Sequence, residues 1–242
     1  MASSKKPDRF NGCYQRWTQQ QKQDLEDLRG AFNQPAHDSD TLARLVADSV
    51  QHYRDYCDER AVLAAQDPHY LLAPTWCTPF ENSFLWIAGC RPSMFVRLIY
   101  CLSGREIELQ LSEYLAGVRT GNLGELTAKQ LEAIDGLHRR TVEEEDMLSS
   151  RLASIQEDVS EEPLVRMASE RGREWSATES NRAVEMHSAG LARLVVDADE
   201  LRIRTAKDLV EVLTPQQAAH FLIAAKQLHL SMHEWGMTRE EG

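Results

Sequence analysis

The sequence has no C-x-x-C pair, no glycine-rich phosphate loop, no H-E-x-x-H and no nucleophile elbow, so the common metal, nucleotide and hydrolase chemistries have no motif to stand on. Its apolar runs all fall short of the roughly 20 residues that cross a bilayer. The stretch Met1 to Arg9 lacks the apolar core of a signal peptide. Nucleus and cytoplasm are therefore the expected locations, with no membrane partner. Five cysteines, Cys13, Cys57, Cys77, Cys90 and Cys101, are an odd number scattered over the first half. They read as reduced thiols that mostly fill the core rather than as a disulfide framework or zinc ribbon. Basic residues are also short: 27 Lys and Arg face 38 Asp and Glu, a net charge of −11. A surface of that sign repels phosphate backbones, and no direct nucleic-acid binding is expected.

What remains is long stretches rich in Ala, Leu, Glu, Gln and Arg, interrupted by only 12 Gly and 8 Pro and free of strand-like alternation. The fold class this predicts is all-α: a single multi-helix bundle with long helices and a Pro/Trp-rich helix-turn-helix corner. The expected organisation is a flexible N-terminus over 1–12, one helical domain over 13–236 and a flexible tail over 237–242. A first helix is expected from about Arg9 to Leu28 and a second from Ser39-Asp40-Thr41 to about Gln66. Prolines 68, 74 and 79 break the next stretch, leaving room for a short helix from Glu81 to Ala88. Pro92 then opens a helix from Ser93 to Leu102. Thr127 with Gln130 resembles a capping box at the head of a long helix reaching about Val159. An acidic break at 157–163 is the candidate hinge, helix resumes over 164–213, and Thr214-Pro215 opens the closing helix, with Gly236 as its terminator.

Chemistry-bearing residues are few. Glu143-Glu144-Glu145-Asp146 points in every direction around a helix and reads as a solvated face. Asp135 and His138, one turn apart, are an ordinary i,i+3 neighbour pair. His220 falls about 180° around the closing helix from His229. His229 and His233 stand out, because i,i+4 spacing puts both imidazoles on one side, near Leu222, Leu228, Met232 and Trp235. Such a pair can hold a metal edge or one haem ligand, and equally forms a polar stripe at a helix C-terminus.

Thr78-Pro79-Phe80-Glu81-Asn82-Ser83-Phe84-Leu85-Trp86-Ile87-Ala88-Gly89-Cys90-Arg91-Pro92-Ser93 resembles the T-P-x-E-x-x-F-L-W-I-x-G-x-R-P-S signature of the plant delay-of-germination domain. The stretch Leu228 to Gly236 is similar to that family's end, and the likeness runs from about Tyr14 to Gly236. The domain also forms the C-terminal part of TGA-type basic leucine zipper transcription factors, but this chain shows no basic region or leucine heptads ahead of it. The resemblance implies a non-enzymatic regulator of seed dormancy or maturation in the abscisic acid pathway, acting on protein phosphatases and binding haem. On matching positions the haem histidines are His229 and His233. Of the family's phosphatase-contacting segment, Cys13 to Thr18 keeps only the two aromatics, Tyr14 and Trp17. The signature residues Thr78, Pro79, Glu81, Phe84, Leu85, Trp86, Gly89, Arg91 and Pro92 are expected to be structural. The alternative is a transcription cofactor that reaches DNA only through TGA-type zipper relatives. In either role the haem iron is the only metal expected.

Overall fold

The computed structural model describes residues 5–34, 38–109, 121–158, 165 and 177–240. Eight α-helices and one short 3-10 helix account for most of them, and among the described residues there is no strand, only an isolated bridge between Trp86 and Gly89. The helices are α1 (Lys5–Phe32), α2 (Ser39–Gln66), α3 (Pro68–Leu72), α4 (Pro79–Asn82), α5 (Ser93–Leu109), α6 (Ala128–Glu157), α7 (Ala177–Val212) and α8 (Pro215–Glu240), with the 3-10 turn at Leu123–Glu125. The all-α bundle expected from composition is the fold. None of these helices is long and apolar enough to cross a membrane.

Several starts follow local chemistry. The Asp38 side chain accepts from the Asp40 amide ahead of α2. Thr127 and Gln130 form a reciprocal capping box at α6. Thr214 and Gln217 repeat it at α8, with Pro215 at the first helical position. The two boxes interlock: Gln130 Nε2 donates to Gln217 Oε1 at 2.8 Å and to the Val212 carbonyl at 3.0 Å, so the heads of α6 and α8 are fixed against each other.

Helix ends depart from expectation at both extremes. α1 begins at Lys5 and buries Phe10 to 2% exposure, so the segment 1–12, expected to be flexible, is helical from Lys5 because an apolar anchor lies within it. α8 runs through Gly236 to Glu240. Gly236 is no terminator. It is buried where α8 crosses Thr78, whose Cβ would lie 2.8 Å from an added methyl. Thr78 cannot swing away, because its hydroxyl caps α4. Gly236→Ala is expected to cost about 1–3 kcal/mol as overpacking and to lower the melting temperature by several degrees; an unchanged melt would remove this account of the glycine. The acidic break proposed as a hinge lies, over 159–163, outside the described residues.

Two apolar clusters form the core. One gathers Leu28, Leu42, Ile99, Ile134, Leu209 and Phe221; the other gathers Phe10, Cys13, Leu63, Ile87, Leu194 and Val195. The cysteines are free thiols, with Cys13 and Cys57 buried, Cys77 and Cys90 half-buried and Cys101 exposed. The acidic run is more than a solvated face. Glu145 is 1% exposed and accepts from the Ser93 amide at 2.6 Å and the Ser93 hydroxyl at 2.9 Å at the head of α5, where a carboxylate also opposes the helix dipole. Glu144 pairs with Arg204 on α7. Asp135 pairs with Arg139, and no group of three or more potential ligands among the described residues could hold a metal ion.

Candidate functional site

The signature stretch folds as three linked pieces. Thr78 caps the one-turn helix α4, with Glu81 returning its carboxylate to the Thr78 amide at 2.8 Å. The helix stops at Asn82, short of the expected Ala88, because the chain turns sharply: Ile87 and Ala88 both have positive φ, 42° and 63°. That is the pattern of a type I′ turn closed by the Trp86–Gly89 bridge, normally reserved for Asn-Gly or Gly-Gly. Two non-glycine residues in that region carry strain of about 1–2 kcal/mol each, so surrounding contacts must hold them.

Two buried arginines supply those contacts. Arg202 on α7 donates to the Trp86 carbonyl, to the Ile87 carbonyl at 2.9 Å and to the Cys90 carbonyl at 2.7 Å. Arg60 on α2 donates to the Ala88 carbonyl at 2.8 Å. Asp199 sits between them, accepting from Arg60 Nε at 2.8 Å and Arg202 Nη1 at 2.6 Å, with all three side chains at most 8% exposed. The turn's carbonyls thus point at a fixed array of guanidinium donors, the geometry in which arginine cannot be exchanged for lysine. Gly89 is required because an added Cβ would lie 2.8 Å from Arg202 Cζ. Of the remaining signature residues, Pro92 is buried, Leu85 is half-buried, Phe84 is exposed and packs edge-on to Phe80, and Arg91 reaches the Glu145 carboxylate at 3.5 Å. Pro79 opens α4.

Glu81 links the signature to the closing helix. Its carboxylate accepts from Tyr14 Oη at 2.9 Å and from His233 Nδ1 at 3.1 Å, besides the Thr78 amide. Burial works to raise its pKa, but these hydrogen bonds outweigh that and leave it below the ordinary value. Tyr14 lies edge-on to both His229 and His233, 6.4 Å from each ring. Trp17 stacks on Tyr56 at 4.6 Å and 3°. Both aromatics of α1, expected to anchor a partner, are used inside the molecule. On the same helix the exposed neighbours are Gln15 and Arg16.

His229 behaves differently from His233. Although part of the residue reaches the surface, its Nδ1 is shut off from solvent and has no hydrogen-bond partner. Burial depresses its pKa to about 4 despite the nearby Glu81 carboxylate, so the ring is neutral at pH 7. It borders a cavity of about 270 Å³ lined chiefly by Tyr14, Trp17, Tyr53, Trp76, Phe221 and Met232. Lys226, one turn earlier, also borders it and pairs with Asp24 of α1 at 2.8 Å. Burial works against both charges. Lys226 stays below its ordinary value, while the ammonium beside Asp24 holds that carboxyl below its own. His220 faces away, near Phe32 and Glu106, as its spacing predicts.

Haem, implied by the resemblance, does not suit this arrangement. His229 offers one neutral nitrogen, but His233 is held by Glu81 and stands on the same helix about 6 Å away at Cβ. The cavity beside His229 is smaller than the roughly 300–1,000 Å³ of pockets that enclose drug-sized molecules, and a flat tetrapyrrole is at the large end of that class. Trp235, near the pair in sequence, is 53% exposed.

Sequence reasoning passed over Arg60, Asp199 and Arg202, and with them Gln21, Asp24 and Lys226. One signal was available: Asp199 and Arg202 fall on the apolar stripe of α7 between Leu194, Val195, Ala198 and Leu201, where charges are admitted only when paired.

Comparison with known proteins agrees with this geometry. The family model described as seed dormancy control (DOG1) matches residues 24–101, a span that includes Arg60, α4 and the strained turn. Protein DOG1-like 3 of Arabidopsis thaliana is 37% identical over 95% of this chain and 84% of its own length, and Protein DOG1-like 2 of the same plant is 36% identical over 95% and 90%. Transcription factor TGA2 of Arabidopsis thaliana is 27% identical over 89% of this chain, which spans 59% of that protein. A helical bundle tied together at a strained signature turn, with relatives this similar over nearly its whole length, belongs to the seed dormancy control (DOG1) family.

Proposed function

We propose that this chain is a non-enzymatic regulator of seed dormancy or maturation that works by binding a protein partner in the nucleus and cytoplasm. The observation that carries the reading is the similarity to DOG1-like proteins over 95% of the chain. The polar groups around Glu81 fit a structural role: Tyr14, His233 and Thr78 all donate to its carboxylate.

Two partner classes follow. Phosphatases of the abscisic acid pathway are what the family resemblance implies, but Tyr14 and Trp17, the two residues kept from that segment, pack inward. TGA-type zipper proteins are favoured by the similarity to TGA2, TGA6 and a rice TGA factor, each over 89% of this chain. A regulator with a net charge of −11 would then reach DNA only through such a relative. Haem forms no part of the proposal.

The test is co-precipitation from seed extract, or with purified partners, of the full chain against a TGA-type factor and an abscisic-acid-pathway phosphatase. Retention of the TGA factor without the phosphatase is the expected result. Retention of the phosphatase would move the reading to the phosphatase class. Retention of neither rejects both.

A further inference from the structure

Four buried side-chain atoms among the described residues lack a hydrogen-bond partner: Gln21 Nε2, His138 Nε2, His220 Nδ1 and His229 Nδ1. Two of them belong to residues that border the same cavity, Gln21 on α1 and His229 on α8. The orientation of Gln21 is fixed, because its Oε1 accepts from Lys226 Nζ at 3.3 Å and its amide nitrogen must be the other end. An unpaired buried donor costs about 1–3 kcal/mol. Two such side chains in the lining of one hollow are what a polar group of a ligand would satisfy.

The rest of the wall defines the ligand. Tyr14, Trp17, Tyr53 and Trp76 present rings, and Phe221 and Leu222 present hydrocarbon. The charges around the cavity balance: Arg60, Arg202 and Lys226 stand against Asp199, Asp24 and Glu81. A charged ligand would therefore arrive without a counter-ion in an apolar place. Apolar cavities of about 150 Å³ take up a single benzene ring, and drug-sized pockets begin near 300 Å³. At about 270 Å³ this space suits a two-ring molecule. Stacking against aromatic walls favours a flat one.

We propose that the cavity between α1 and α8 is a binding site for a compact, uncharged aromatic molecule carrying one oxygen function, held by Gln21 Nε2 and His229 Nδ1. The inference goes beyond the regulator reading, and either can fail without the other.

The experiment uses the full chain and four probes: 1-naphthol, naphthalene, 1-naphthoate and haemin. Tryptophan emission and melting temperature report binding, since Trp17 and Trp76 line the space. Saturable quenching and a concentration-dependent rise in melting temperature are expected with 1-naphthol, at an affinity about tenfold above that for naphthalene, the factor one hydrogen bond supplies. Naphthoate should bind more weakly than naphthol. The double variant Gln21→Leu, His229→Phe should keep binding naphthalene, which shows that it is folded, and lose the tenfold preference. Equal affinity for naphthol and naphthalene, tighter binding of naphthoate, no binding of any two-ring probe, or one-to-one haemin uptake abolished by His229→Phe would each overturn the proposal.

Discussion

Asp199→Ala is expected to remove about 3–5 kcal/mol of stability, the loss typical when one partner of a buried ion pair is deleted. Two guanidinium groups, Arg60 and Arg202, lean on that carboxylate at 2.8 and 2.6 Å and are almost wholly buried. Without it, two positive charges remain in the core with no anion between them, only carbonyl dipoles, the Tyr56 hydroxyl and the faces of Tyr56 and Trp86. Total stability of such a domain is on the order of 5–15 kcal/mol, so roughly a fifth or more is at stake, and thermal melting followed by circular dichroism should shift on the order of 10 °C. The turn at Ile87 and Ala88 should loosen with it, because the same guanidinium groups hold its carbonyls. Trp86, whose indole nitrogen donates to Ser149 at 2.9 Å, would report that loosening as a change in fluorescence. A loss under about 1 kcal/mol would show that the arginines find other partners and that Asp199 is dispensable.

Acid should act on this protein first through His229. Its folded pKa, about 4, lies below the ordinary histidine value of 6.5, so below pH 6.5 the unfolded chain takes up the proton and the folded one does not. Stability should therefore be constant above pH 6.5 and fall between pH 6.5 and 4 by about 3 kcal/mol. The groups facing the ring are Glu81, Lys226 and His233. Glu81 favours the charged imidazole, while the other two oppose it. His220, also held below its usual value by burial, adds to the same window. Asp24 and Glu81 are lowered instead: their contribution is present at neutral pH and is lost only as pH falls through the acid range below about 4. Denaturant melts at several pH values should therefore show two phases. His229→Leu is expected to flatten the first and leave the second, and a variant as acid-sensitive as the parent between pH 6.5 and 4 would refute the assignment.

Local rules were legible in the sequence and long-range ones were not. Thr127 with Gln130, and Thr214 with Pro215, place helix starts where the structure has them, because a capping box is completed within four residues. Gly236 was misread for the same reason. A glycine near a helix end signals termination locally, whereas its purpose here is the close approach of Thr78, 158 positions earlier. The helix expected over Glu81 to Ala88 fails at a turn whose two positive-φ residues are Ile and Ala, identities that carry no turn signal. What holds them comes from α2 and α7, and the Arg60–Asp199 contact spans 139 positions. The histidine pair was visible by spacing alone. That one ring is neutral beside a cavity and the other bound to a carboxylate depends on α1 and α4, which periodicity within α8 cannot reveal.

The pairing of α1 with α8 has a consequence for how the molecule is made. Among the groups that keep the buried Asp24 ionised, Lys226 acts most strongly, and the two are 202 positions apart. At about 5–20 residues per second of synthesis, the first helix waits roughly 10–40 s between emerging and meeting the ammonium it needs. During that interval its carboxylate has Gln20 and His52 but not the ammonium, and the part of its face that packs on α8 stays uncovered. A ribosome stalled just before α8 would therefore hold a product that has most of its helices but lacks the one that closes the bundle. Such a chain should be a preferred client of the chaperones that attend translation.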